Sequence, residues 1–334
     1  MKNKKVIIMS FIIIVILCIV FSPITFQNDT FYTIKIGKLI LDNGIDMLDH
    51  FSYHNLTYTY PHWLYDVMIY LIYSIKGYLS LYISNIIFFI LLISLIFYFN
   101  YKNNNSKFIS IIFTILSILL LSSYVATRAQ LVSYIIFIVE YIFITNYLKN
   151  SQKRYLIGLV ILSCLLCNMH VAVWPFYFII YLPFIVEYII AKIVKKDKIF
   201  KIEITKNENV KLLIITMFIS IIPGFFTPIG DTPFTYLLNT MQGSSQSYIE
   251  EHLPPNILGK VSLTIFSIVI INLIILGKIK LHQLFLVLGL SIMAFTSTRH
   301  LSLYTIFILP IIANLVDNIF NKNKINIDKY TIKY

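Results

Sequence analysis

Charge is scarce in this sequence. Asp, Glu, Lys and Arg make up 13% of the 334 residues, hydrophobic residues make up 58%, and the mean hydropathy is +0.80. Runs of eighteen or more nearly uncharged residues recur along the chain, which excludes a soluble globular protein and indicates a polytopic helical membrane protein. Cysteine is also scarce. Cys18, Cys164 and Cys167 all fall inside apolar runs, so their spacing supports neither a disulfide framework nor a zinc site. There is no Gly-rich phosphate loop, no internal repeat, and no soluble domain beyond a 229–257 loop.

The apolar runs read as ten spans, at about 6–24, 79–99, 108–125, 131–148, 155–170, 173–191, 211–228, 258–277, 281–297 and 300–319. Each is long enough, or nearly so, to cross ~30 Å of hydrocarbon at ~1.5 Å per residue. The first has a basic start like a signal peptide, but its apolar core is long and no small-x-small site follows, so it reads as an uncleaved span. The segment 62–77, "HWLYDVMIYLIYSIKG", would make an eleventh. Counting it would invert every later loop, so it is placed as an interfacial or half-inserted helix whose aromatics suit the headgroup region. The stretch 30–41 reads as a second amphipathic helix, with Lys35, Lys38 and Asp42 on one face and Phe31, Ile34 and Leu41 on another. The expected fold is therefore an all-α transmembrane bundle of ten or eleven spans in one membrane domain, residues 1–334, with interfacial helices in the first outer loop, 25–78.

The formal charge of +12 could suggest nucleic acid, but basic residues in a membrane protein must first be sorted by side. With both termini cytoplasmic, 21 of the 27 Lys and Arg fall inside, including seven lysines between Lys192 and Lys211 and four in the tail. The outer side keeps Lys35, Lys38, Lys76, Arg128, Lys260 and Arg299 against eight carboxylates. The excess is thus a cytoplasmic anchor in the plasma membrane, and nucleic acid drops out as a partner.

Residues 25–66 are the exception to the apolar background. They hold Asp29, Asp42, Asp46, Asp49, Asp66, His50, His54 and His62. In the expected topology other polar residues join them on the outer side: Arg128 in "SSYVATRAQLVSY", His170 in "CNMHVAVWPF", Glu250, Glu251 and His252 in "SYIEEHLPPN", and Arg299 and His300 in "TSTRHLSLY". Each has a plain reading. Asp29 would serve as the N-cap of the following helix, the arginines would meet lipid headgroups, His170 would bond a neighbouring helix, and Glu250 and Glu251 would be solvated. Together they suit a cavity for a lipid-linked phosphate, which guanidinium binds bidentately. A nearby carboxylate would take a proton or hold a divalent cation.

The ordered segments "NDTFYTIKIGKLILDNGIDMLDHFSYHNLTYTYPHWLYDV", "TRAQLVSYIIF", "LLCNMHVAVWPF", "FFTPIG" and "TRHLSLYTIFILP" resemble a bacterial multipass family related to the GT-C glycosyltransferases, over about residues 25–315. The resemblance implies a hexosyltransferase of the cell envelope that takes sugar from a polyprenyl-phosphate donor and passes it to an extracytoplasmic glycan, lipid or protein. By position the catalytic base or metal ligand falls on Asp29, with Mg²⁺ or Mn²⁺ as the cofactor in the metal case. Arg128 and Arg299 would hold the donor phosphate, His170 and His300 would assist, and His62 and Glu251 would shape the acceptor side. Thr33 stands where the family pattern usually has His, Val171 and Ala172 replace a Gly pair, and Thr227 replaces Asn. The Thr33 departure counts against a metal site. Two alternatives stay open: a non-catalytic lipid-carrier binder or transporter, and a metal-independent glycan polymerase or ligase.

Overall fold

Ten apolar segments become ten helices in the computed structural model, which describes residues 2–54, 56–194, 197–242 and 248–323. They are α1 (Lys2–Phe21), α4 (Tyr78–Asn103), α5 (Lys107–Leu121), α6 (Ala129–Asn150), α7 (Arg154–Met169), α8 (Trp174–Ile193), α9 (Val210–Ile219), α11 (Ile257–Leu276), α12 (Leu281–Thr296) and α13 (Leu301–Lys322). Each overlaps an expected span, although α9 covers only the first half of 211–228, and helix accounts for 78% of the structure. Six helical stretches, those of α4, α5, α6, α8, α11 and α13, are both long and apolar enough to cross a membrane, and α1, α7, α9 and α12 are shorter apolar helices. The protein is a multipass membrane helical bundle.

Local chemistry sets the helix ends. Ser106 accepts from the Ile109 amide at the start of α5, and Asn256 accepts from the Gly259 amide at the start of α11. Asp317 on α13 accepts from the Asn105 and Ser106 amides at 2.8 and 2.9 Å, tying the start of α5 to the end of α13. Pro183 and Pro310 lie inside α8 and α13, where each removes one backbone hydrogen bond.

One apolar cluster runs from Ile14 in α1 to Leu315 in α13. Helices α6 and α13 form its centre, with 67% of their apolar windows buried, against 11% for α11. The side chains of Ile257, Leu258, Ile265 and Ile268 on α11 are exposed, as lipid contact requires.

Two amphipathic helices follow α1, as expected: α2 (Asn28–Asn43) and α3 (Trp63–Lys76). At ~1.5 Å per residue, the 14 residues of α3 reach about 21 Å, too short to cross ~30 Å of hydrocarbon. Gly77, at φ 63°, ends α3 and starts α4 with no intervening loop. Helices α2 and α3 pack closely because Gly37 lies on the α3 backbone. A Cβ there would sit 2.1 Å from the Asp66 carbonyl oxygen.

Three features depart from expectation. Asp29 is not a cap: α2 begins one residue before it, the N-cap is Gln27, and no side chain caps the helix. The loop after α9 contains a helix, α10 (Thr232–Gln242), whose Phe234 packs edge-on against Trp174. At the opposite end, β1 (Lys198–Ile199) pairs antiparallel with β2 (Ile202–Glu203), which pairs parallel with β3 (Ile279–Lys280). That small sheet joins two basic loops distant in sequence. Of the basic residues assigned to the inner side, Lys195, Lys196, Lys324, Lys329 and Lys333 lie outside the described residues, as does part of the 229–257 loop.

Candidate functional site

The acids and histidines of residues 25–66 divide into two groups. Asp46 accepts from the Leu48 amide at 3.1 Å, pairs with His50 at 2.7 Å and accepts from the Tyr60 hydroxyl at 2.9 Å. The Leu48 amide, with help from Tyr60 and His50, holds the Asp46 carboxyl below the usual carboxylate range. Asp49 accepts from the Phe51 amide, and the His54 ring lies tilted against Tyr53. Short acids bonding amides two residues on are turn builders. These side chains fold the loop, while Asp29, His62 and Asp66 bond groups on other elements or on α3.

Asp29, in the first turn of α2, meets Arg128 just before α6, with Oδ2 to Nη2 at 2.5 Å. The other guanidinium nitrogen, Nη1, lies 2.6 Å from Glu251 Oε1. Arg128 therefore joins two carboxylates that lie 99 and 123 residues away (128 − 29 and 251 − 128). The Glu251 turn is fixed by the segment before α13. Ser297 and Thr298 hydroxyls donate to the Glu251 carbonyl at 2.7 and 3.0 Å, and the Thr298 amide donates to Leu253 at 3.0 Å. The same stitching brings His252 Nε2 to 3.2 Å from Arg299 Nη1. The two site arginines thus bond consecutive residues, Glu251 and His252.

Arg299, His252 and His300 line a cavity of about 870 Å³ between α6, α8, α10 and α13. Gln130, Ser133 and Tyr134 add polar groups, while Phe137, Phe176 and Leu303 supply an apolar wall. Tyr134 receives the Ser302 hydroxyl at 2.6 Å. Asp29, Arg128 and Glu251 lie beside this cavity and do not line it. His170 is buried and does not line it either. Its Nδ1 lies 2.8 Å from the Ser133 hydroxyl on α6, the neighbouring-helix bond of its plain reading, and Ser133 faces the cavity.

His62, at the start of α3, bonds Asp66 through Nδ1 at 2.7 and 2.8 Å, and its ring centroid is 6.4 Å from that of His170. Asp66 is fully buried, and burial pushes its carboxyl above the ordinary value, with His62 and the Thr33 hydroxyl opposing. Burial also works against a charged His62, but the Asp66 carboxylate outweighs it and raises the imidazole above its usual value. Asp29 raises His62 further and Arg299 lowers it, so both lie within electrostatic reach.

No family model matches this chain, and no curated protein matches it. The residues themselves must carry the functional reading.

They do not fit a divalent cation. Among the described residues no group of three or more His, Cys, Asp or Glu side chains could share a metal ion, and the two nearest site carboxylates are both committed to Arg128. A hard cation needs several oxygen ligands.

Sequence reasoning named every member of the ionic network but left Asp66, His252, Ser133 and Tyr134 without roles. The His62–Asp66 pair carried a readable signal, because four-residue spacing on a helix stacks side chains. Glu140, midway along α6, was also passed over. It is fully buried, with both carboxylate oxygens unbonded among the described residues.

Proposed function

We propose that this protein is a GT-C-type glycosyltransferase of the plasma membrane, with both termini cytoplasmic, that moves a sugar from a polyprenyl-phosphate donor to an extracytoplasmic acceptor. The observation that carries the reading is the 870 Å³ cavity, which sets the Arg299 guanidinium and two imidazoles against an apolar wall at one end of a membrane bundle. An amphipathic ligand with one anionic group matches that lining. In this reading Arg299 holds the donor phosphate, and Arg128 leaves its carboxylates to share the charge. The bond between the sugar carbon and the phosphate oxygen breaks, the electron pair stays on the polyprenyl phosphate, and Asp29 takes the proton of the attacking acceptor hydroxyl. His300 and His170, the latter through Ser133, order the cavity wall, while His62 and Glu251 shape the acceptor side. No step needs a metal, so chelation leaves transfer unchanged, as in the polymerase or ligase alternative.

A specific observation favours the second reading, a non-catalytic carrier-binding protein or transporter: the Asp29 carboxylate is held by Arg128 and lies outside the cavity lining. Asp29→Asn separates the two. The Asp29 side chain is 59% exposed, so losing its ion pair costs at most about 1 kcal/mol. With a short-chain polyprenyl-phosphate hexose as donor, an enzyme loses roughly 10²- to 10⁴-fold in transfer. Donor binding retained with no transfer in either form establishes the carrier-binding reading. Full transfer by Asp29→Asn removes Asp29 from the mechanism.

A further inference from the structure

The end of the bundle opposite the arginines contains a second and larger cavity, of about 1080 Å³. Helix α6 fixes the separation: Arg128 precedes its first residue and Lys149 lies in its last turn, so at ~1.5 Å per residue about 30 Å separate them. Lysines reach this cavity from five segments. Lys102 comes from α4, Lys149 from α6 and Lys322 from α13. Lys198 and Lys201 come from the β1–β2 hairpin, and Lys278 and Lys280 from the loop that β3 docks onto it.

Counter-charge is short. Glu203 and Glu187 are the acids in the lining. Glu203 sits 3.8 Å from Lys278, and Glu187 is buried against His282 Nδ1 at 2.5 Å. Among the described residues Lys278 alone of these lysines has an ion-pair partner. A loop that merely holds a helix end inside needs its lysines solvated and spread apart, because like charges repel. Here a three-stranded sheet brings two basic loops together around one concavity. The floor differs in character: Phe184 stacks on His282 at 4.6 Å, and Tyr98, Phe99 and Tyr141 lie beside them.

We propose that this cavity binds a phosphate ester, its phosphate among the lysines and its organic part on the aromatic floor. The chemistry fits a soluble phosphate compound and an anionic phospholipid headgroup alike. The volume is ample for an organic phosphate far larger than the phosphate ion. The inference does not depend on what the Arg299 cavity does.

The test uses the full chain in phosphatidylcholine nanodiscs, with inorganic pyrophosphate as the soluble probe, and native mass spectrometry with phosphatidylglycerol as the lipid probe. The variant Lys149→Gln/Lys198→Gln removes two lysines whose side chains bond nothing among the described residues. The control Lys206→Gln/Lys211→Gln removes the same charge from the same end, at lysines outside the lining that pair with Asp197 and Glu208. We expect one probe to bind, with affinity reduced about tenfold in the cavity variant and less than about twofold in the control, since direct charge contacts to phosphate outweigh diffuse, screened attraction. Pyrophosphate showing this pattern identifies a soluble ligand, and phosphatidylglycerol showing it identifies a headgroup. Equal weakening in both variants, or binding of neither probe, overturns the proposal. Unchanged melting temperatures without ligand exclude misfolding as the cause.

Discussion

His62→Ala tests the most deeply buried part of the candidate site. Asp66 is 0% exposed and has His62 as its charged partner, with Thr33 supplying one further hydroxyl. Removing the imidazole leaves a carboxylate in low dielectric, a loss that costs about 3–5 kcal/mol when a buried pair is broken from one side. The His62 side chain is 25% exposed, so water entering the gap places the cost near the lower figure. Thermal unfolding in detergent should show a large fall in melting temperature. Asp66→Asn in the His62→Ala background removes the stranded charge and should recover at least half of it. The pair also sets a pH dependence. His62 is raised above its ordinary value of 6.5 in the folded protein, so its contribution is fully present below pH 6.5 and is lost as pH rises through the folded value. Asp66, also raised, adds in the same direction at lower pH. Wild type should therefore lose stability on going from pH 6 to pH 8 more steeply than His62→Ala. A His62→Ala protein as stable as wild type, or one destabilised further by Asp66→Asn, would refute the buried-pair account.

Gly37→Ala should lower the melting temperature and loosen the α2–α3 loop, because its Cβ would meet the Asp66 backbone at 2.1 Å and overpacking costs about 1–3 kcal/mol; limited proteolysis between α2 and α3 unchanged from wild type would contradict this. Glu140→Met should be neutral or stabilising by about 1–4 kcal/mol, since it replaces a buried unbonded carboxylate with an apolar side chain, and a marked fall in melting temperature would show that Glu140 has a partner. In a cysteine-free background, Tyr53→Cys should react with an impermeant maleimide from outside the cell and Lys278→Cys should not; the reverse pattern would invert the proposed topology.

Hydropathy alone was enough to place the ten apolar helices, six of them long enough to cross a membrane, because an apolar run of that length has few other fates. The sorting of basic residues by side placed 62–77 as an interfacial or half-inserted helix, and α3 ends at Gly77 after 14 residues. Composition also located the polar residues worth examining. Their partners came from tertiary structure. Asp29 could be read as a cap, since a lone acid near a helix start looks the same whether it bonds an amide or an arginine 99 residues on (128 − 29). Asp46, Asp49 and His50 stood out because charge in an apolar chain draws attention, and their partners are the loop's own amides and each other. The lysines around β1, β2 and β3 read as an anchor along the chain and became the wall of a cavity when two loops paired. Membrane insertion depends on sums over neighbouring residues, which a sequence displays directly. Ion pairs and cavities depend on which helices pack together, and that is decided by the fit of side chains across the whole bundle.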